Sequence, residues 1–237
     1  MINPFQEFLT YRGPSQELPL DRILAQRERV LQGLLESHQA LVEAERKQLV
    51  WVVEQGALAR AYATAVESLQ DMSFTVEDIE DVCLALDADG AMDSLGAPSG
   101  LFIAAMCNHV ETRDIRLNLC AFKRRWPFLG FRLPQGRRLH LEGDAGDFVG
   151  ALLEGGEILV NGNAGDYTGV GMKDGLLHVR HSVGKYTGEG MRGGMLRVNG
   201  RIKGMGNVKT GTIYEGKRQM FPDVSETVPL ARQARRK

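Results

Sequence analysis

Cysteine, charge excess and long apolar runs are all scarce in this chain, and each scarcity removes a class of protein. Only three Cys occur in 237 residues: Cys83, Cys107 and Cys120. Any disulfide scheme leaves one thiol over, and none sits in a CxxC pair, so neither a disulfide framework nor a zinc knuckle is encoded. That usage fits a reducing compartment, and a cytoplasmic location is expected. Lys and Arg number 29 against 30 Asp and Glu, a net charge of −1. Such a balance disfavours a nucleic-acid partner, although a local basic patch stays open. Apolar stretches fall far short of the roughly 20 residues that span a bilayer, so no membrane partner is expected. The start, MINPFQEFLTYRGP, lacks a basic segment followed by an apolar run, and no signal peptide is expected. No Ser-His-Asp, HExxH or P-loop pattern appears. No catalytic residue, cofactor ligand or metal ligand is therefore assigned.

Glycine is scarce only in front. Few Gly precede residue 90, whereas from Gly143 onward they recur every few residues. Residues 1–110 read as a helical region. Leu20, Ile23, Leu24, Leu31, Leu34, Leu35, Leu41 and Val42 begin an apolar stripe at helical spacing that runs on to Leu69. This predicts one very long helix, or a hairpin turning near Gly56, with self-association through residues 20–70 as one outlet for the stripe. Thr75 and Asp78 predict a capping box ahead of Val76–Leu86, and a further helix is expected from Ser99. Ile115, Leu117 and Leu119 alternate with polar residues, a strand signal, and Trp126–Leu133 is expected to hold another short strand. Residues 111–138 thus read as a β transition or cap.

The back of the chain repeats with a period of about 19 residues. Row one is LHLEGDAGDFVGALLEGGE from Leu139, row two ILVNGNAGDYTGVGMKDGL from Ile158, row three LHVRHSVGKYTGEGMRGGM from Leu177, and row four LRVNGRIKGMGNVKTGTIY from Leu196. Like falls under like: Leu139, Ile158, Leu177 and Leu196; Leu141, Val160, Val179 and Val198; Phe148, Tyr167, Tyr186 and Met205; Leu153, Met172 and Met191. Three Gly columns run Gly146, Gly165, Gly184; Gly150, Gly169, Gly188; and Gly156, Gly175, Gly194. The period is too short for βαβ units and too Gly-rich for helices. A β-solenoid solves it, each row a coil whose short strands pair with neighbouring coils at about 4.8 Å. Apolar columns become internal ladders. Gly columns become corners that need positive φ or close backbone approach. Both ends need covers, since a bare last coil is an open sheet edge. The chain is expected to be α+β: a helical region, then a solenoid over 139–214, then an extended basic tail over 215–237.

The stretch GDAGDFVGALLEGGEILVNGNAGDYTGVGMKDGLLHV, Gly143 to Val179, resembles the GXGXG repeat of formylmethanofuran dehydrogenase, where it builds the C-type subunit, and of the related formyltransferase/hydrolase complex. It is also similar to the C-terminal domain of the glutamate synthase large subunit. The resemblance implies a right-handed solenoid without catalytic residues, a scaffold that joins catalytic subunits. Flavin, iron–sulfur or molybdenum/tungsten centres would then belong to partner subunits. His181 and Ser182 stand where row two has Gly162 and Asn163, and Lys203 stands where row two has Gly165.

Several sharper motifs have blander readings. Gly188, Gly190 and Gly193 match GxGxxG, yet a strand-like stretch in repeat register follows them instead of a helix, so a corner is expected. Asp87, Asp89 and Gly90 suggest a calcium loop, but the sixth and twelfth places hold Met92 and Pro98. His140 and His178 share a column two rows apart, about 9–10 Å, too far for one zinc. They are expected to face solvent, as is His181 at its corner. His38, Cys83 and Cys107 read as packing residues, and Asp144 and Asp147 as solvated corner carboxylates. Charge is graded along the rows: row one carries five acids and no base, row four Arg197, Arg201, Lys203 and Lys209 and no acid. The basic end is the expected docking surface for an acidic neighbour: Arg197, Arg201 and Lys203, with Arg232, Arg235 and Arg236 of the tail.

Overall fold

The computed structural model describes residues 19–46, 55–88 and 96–222. Four helices come first: α1 (Pro19–Arg46), α2 (Gln55–Leu69), α3 (Val76–Ala88) and α4 (Gly96–His109). Helices α1 and α2 pack on one another, the hairpin alternative of the sequence reading and not a single continuous helix. Residues 47–54, where the expected turn falls, lie outside the described residues, and Gly56 is the second residue of α2. The capping box forms as expected. Thr75 donates from N–H and Oγ1 to Asp78 Oδ2 at 2.8 and 2.9 Å, and the Asp78 N–H returns a bond to Thr75 Oγ1 at 3.3 Å. Helix α4 is apolar on every face, and Ser99 through Cys107 are all buried. Such a helix must be covered all round. Here α1, α2 and α3 all pack on it, and so does the start of the β region, where Pro127 lies against Gly100 and the Phe131 carbonyl accepts from Asn108.

Seven strands form one sheet in chain order: β1 (Asp114–Asn118), β2 (Arg138–Glu142), β3 (Glu154–Val160), β4 (Asp174–Val179), β5 (Arg192–Val198), β6 (Thr210–Glu215) and β7 (Arg218–Phe221). The first six pair in parallel, each over the one before, and only β7 returns antiparallel. This is a β-solenoid. Leu139, Ile158, Leu177 and Leu196 are direct partners, nineteen residues apart at each step, and all are buried. The columns through Val160 and Met172 are equally dry.

The structure corrects the sequence reading at five places. Residues 114–137 are an opening coil of the same stack: Ile115 pairs directly with Leu139, a longer step than any later coil takes, and Trp126–Leu133 is a run of turns, not a strand. The last coil is short, since Leu196 pairs with Ile213 and not with a residue one full repeat further on. Met205 accordingly opposes Thr187 and leaves the aromatic column. The corner glycine of row one is Gly155 (φ 105), which lies beneath Gly175 (φ 99), because a register shift separates Glu154 from Glu157; Gly156 has no positive φ. Finally, the tail does not begin at residue 215, since β7 closes the last edge up to Phe221.

Left-handed backbone is not confined to glycine. Gly150, Gly169 and Gly188 take it at φ 66, 73 and 70, but so do Phe148, Tyr167 and Tyr186 at 61, 57 and 57. Gly146, Gly165 and Gly184 are needed for a different reason. A Cβ at Gly165 or Gly184 would lie 2.0 Å from Asp147 Oδ1 or Asp166 Oδ1 of the coil before. Those carboxylates take the N–H groups of Asp166 and Lys185 at 2.8 and 2.7 Å.

One arginine ties the helices to the solenoid. Arg137 Nη1 donates to the carbonyls of Cys107, Val110 and Thr112 at 3.1, 2.8 and 3.1 Å, capping the end of α4 where carbonyls lack partners. Arg137→Ala should destabilise the fold by about 2 kcal/mol, the usual cost of losing hydrogen bonds to a charged group. Arg137→Lys should recover only part of this, because an ammonium lacks the planar fork. Urea midpoints of the two variants check it.

Candidate partner-docking surface

Each docking candidate follows from its column. Successive residues of a strand point to opposite faces, so Arg197, between buried Leu196 and Val198, stands on the outer face. Its guanidinium lies 5.4 Å over the Tyr214 ring, a cation–π contact that holds the side chain flat. Arg201 and Lys203 flank buried Ile202 at the corner after β5, and both are exposed. Arg180, His181 and Lys185 are exposed at the same corner one coil earlier. Arg232, Arg235 and Arg236 lie outside the described residues.

A ladder of side chains fixes this corner. Asp144 Oδ1 accepts the N–H of Asn163 at 2.8 Å, Asn163 Oδ1 that of Ser182 at 3.1 Å, and Ser182 Oγ that of Arg201 at 3.1 Å. Each link spans one coil, and each polar side chain satisfies a backbone donor of the next. The ladder begins with a carboxylate and ends on an arginine. The Asn163 N–H, with Asn163's amide, Arg125 and His181, holds the Asp144 carboxyl below the ordinary range. Asp144 and Asp147 are thus coil-to-coil acceptors in this structure.

The charge gradient is real along this edge but does not reach the other end of the stack. Arg125, Arg132 and Arg138 of the opening coil and β2 pair with Asp144, Glu154 and Glu157 of row one at 2.8, 3.0 and 3.1 Å. Lys173 also meets Glu154, at 2.7 Å. Three of the five acids of row one are therefore answered by bases, whereas among the described residues no ion pair joins Arg197, Arg201 or Lys203 to a carboxylate.

The remaining sequence-selected residues are placed apart. His140 Nε2 lies 3.4 Å from Asp114 Oδ1, and His178 shares a hydrogen bond with Asn199 Oδ1 at 3.1 Å. Cys83 and Cys107 are buried, and burial pushes the Cys107 thiol up to about 12 and Cys83 further in the same direction. Neither is a thiolate near neutral pH. His38 is buried against Ser99 and Phe102. The apolar stripe of α1 is taken up by the chain's own core from Val30 onward, leaving Leu20, Ile23 and Leu24 exposed. Among the described residues no helix is long and apolar enough to cross a membrane. Sequence reasoning missed two features. One is the ring stack Phe128–Phe148–Tyr167–Tyr186, of which only the last three could be read as a column. The other is a cleft of about 540 Å³ where the N-terminal end of α3 meets β1, lined by Glu77, Glu80, Glu111, Asp114 and Arg116 among others.

Fold and surface define a β-solenoid with a helical cap and a basic final edge. No family model, curated protein or solved structure matches the chain.

Proposed function

We propose that this chain is a cytoplasmic, non-catalytic scaffold subunit that bridges catalytic subunits of a complex like formylmethanofuran dehydrogenase or glutamate synthase. The observation that carries the reading is the in-register parallel stack from Ile115 to Ile213. Five steps of about 4.8 Å make a stiff element roughly 24 Å long, suited to fixing distances between centres. Its first coil is covered by the helices, and its last exposes Arg197, Arg201 and Lys203. The resemblance of Gly143–Val179 to the GXGXG repeat supplies the class of partner. Redox centres, in this reading, sit in those partners.

The test is the native mass of the tagged chain from its own cells, with partner recovery followed across a salt series. A complex is expected that R197E/R201E/K203E and high salt both dissolve, since such docking is screened by ions. A chain recovered alone at low salt overturns the proposal. Truncation should fall after Pro222, because a cut at Tyr214 would strip β7 from the sheet. The cleft beside Glu77 and Asp114 favours a second reading, a small-molecule enzyme. A ligand-induced rise in melting temperature, lost in Glu111→Gln, would support that instead.

A further inference from the structure

We propose that the open face of Tyr186, flanked by Lys185 and Lys203, binds a free nucleotide whose base extends the ring stack and whose phosphates meet the two lysines. The site goes beyond the scaffold reading and does not depend on it. Four rings stand one above another: centroids of Phe128, Phe148, Tyr167 and Tyr186 are 4.6, 5.0 and 4.7 Å apart, with planes within 7, 6 and 14°. Phe148 and Tyr167 each have rings on both faces. Tyr186 has one on a single face, and among the described residues no ring follows it. The short last coil is the cause: Met205 opposes Thr187, and Gly204 lies over the Lys185 backbone, so the aromatic place in that coil is vacant.

Tyr186 is 48% exposed, and no other large apolar side chain described in the solenoid is so open. It is also held at φ 57, where glycine would be easier. Phe128, Phe148 and Tyr167 take the same φ in the same hydrogen-bonded turn, so the coil itself fixes where the Tyr186 ring stands. Its plane is set by the rings beneath it, so a planar ligand meets a surface already ordered, which removes much of the cost of binding. The surroundings select an anion. Lys185 is adjacent in the chain, Lys203 lies opposite Gly184, Arg201 opposite Ser182, and all three are exposed. Three carboxylates stand nearby, and each is turned to a backbone donor: Asp166 Oδ1 takes the Lys185 N–H at 2.7 Å, Glu189 Oε2 the Asn207 N–H at 2.7 Å, and Glu215 Oε2 the Ile202 N–H at 3.3 Å. A flat aromatic body carrying several negative charges is a nucleotide. Stacking of a base on an exposed ring is tolerant of base identity, so ADP serves as probe.

Calorimetric titration of the full chain at low salt tests the site. ADP should bind with a Kd of about 10–300 µM. Adenosine and inorganic pyrophosphate should each bind at least about tenfold more weakly, since each keeps half of the recognition. Tyr186→Gly removes the ring while suiting the backbone, so the fold is kept and ADP affinity should fall at least about tenfold. Tyr186→Phe should leave affinity unchanged, and K185E/K203E should abolish binding. The proposal is overturned if ADP does not bind in the millimolar range, if Tyr186→Gly binds it normally, or if pyrophosphate binds as well as ADP. A short oligothymidine binding more than about a hundredfold tighter than ADP would reassign the surface to single-stranded nucleic acid and equally overturn it.

Discussion

Gly175→Ala is expected to destabilise the solenoid by about 3–5 kcal/mol, while Gly190→Ala costs only about 1 kcal/mol. Both residues have positive φ, 99 and 63. They differ in what surrounds them. A Cβ at Gly175 would lie 2.3 Å from the Gly156 carbonyl oxygen and 2.9 Å from the Gly155 carbonyl carbon. These are backbone atoms of the coil beneath, pinned by the pairing of Glu157 with Leu176 and Ile158 with Leu177. Neither coil can give way without breaking the ladder, so the overlap adds to the conformational penalty. A Cβ at Gly190 meets nothing within 4 Å. Its column already accepts side chains, as Arg132 and Leu152 sit there at φ 52 and 54. Urea denaturation followed by circular dichroism measures both variants. Equal losses would mean that positive φ alone governs these corners and that the close approach at Gly175 is relaxed at no cost.

The same contrast explains what can be read from the chain and what cannot. Rows one to three are legible because equal spacing lays identical chemistry on identical chemistry: aliphatic on aliphatic inside, glycine on glycine at the corners. The opening coil is hidden because the step from Ile115 to Leu139 is longer than the repeat, and because Trp126 stands beneath Gly146, where the later coils have glycine. Gly155 and Gly156 are adjacent, so pattern alone cannot choose which turns the corner; the register shift chooses. The last coil falls short of the full repeat, and a pattern extended by counting overruns the true edge. Helix α4 shows no period because all of its faces are buried, which removes the contrast on which helical reading depends. The docking residues Arg197, Arg201 and Lys203 are legible as exposed, since they alternate with buried columns. The neutralising role of Arg125, Arg132 and Arg138 is not, because it needs the opening coil to be recognised as one.

Acid should loosen the helical cap through one side chain, His38, with a loss of about 3 kcal/mol between pH 6.5 and pH 4. His38 is buried, its Nε2 is 2.9 Å from Ser99 Oγ, and the Phe102 ring stands edge-on at 5.4 Å. Burial lowers its pKa from 6.5 to about 4, because the imidazolium would lose its water without gaining a counter-charge. The folded state thus prefers the neutral ring. Above pH 6.5 the ring is neutral in both states and the contribution is intact. Below it the unfolded chain takes up a proton that the folded chain refuses, and stability falls by about 1.4 kcal/mol per pH unit until the folded form also protonates near pH 4. Carboxylates titrate in the same window, so the measurement must be a difference. His38→Leu should be less stable than the natural chain near pH 7.5 by about 1–2 kcal/mol, since Ser99 Oγ loses its partner. That gap should vanish and then reverse on the way to about pH 4, as the variant has no ring to protonate. A gap that stays constant from neutral to acid would show that His38 titrates normally, and that its environment admits water despite the packing of α1 on α4.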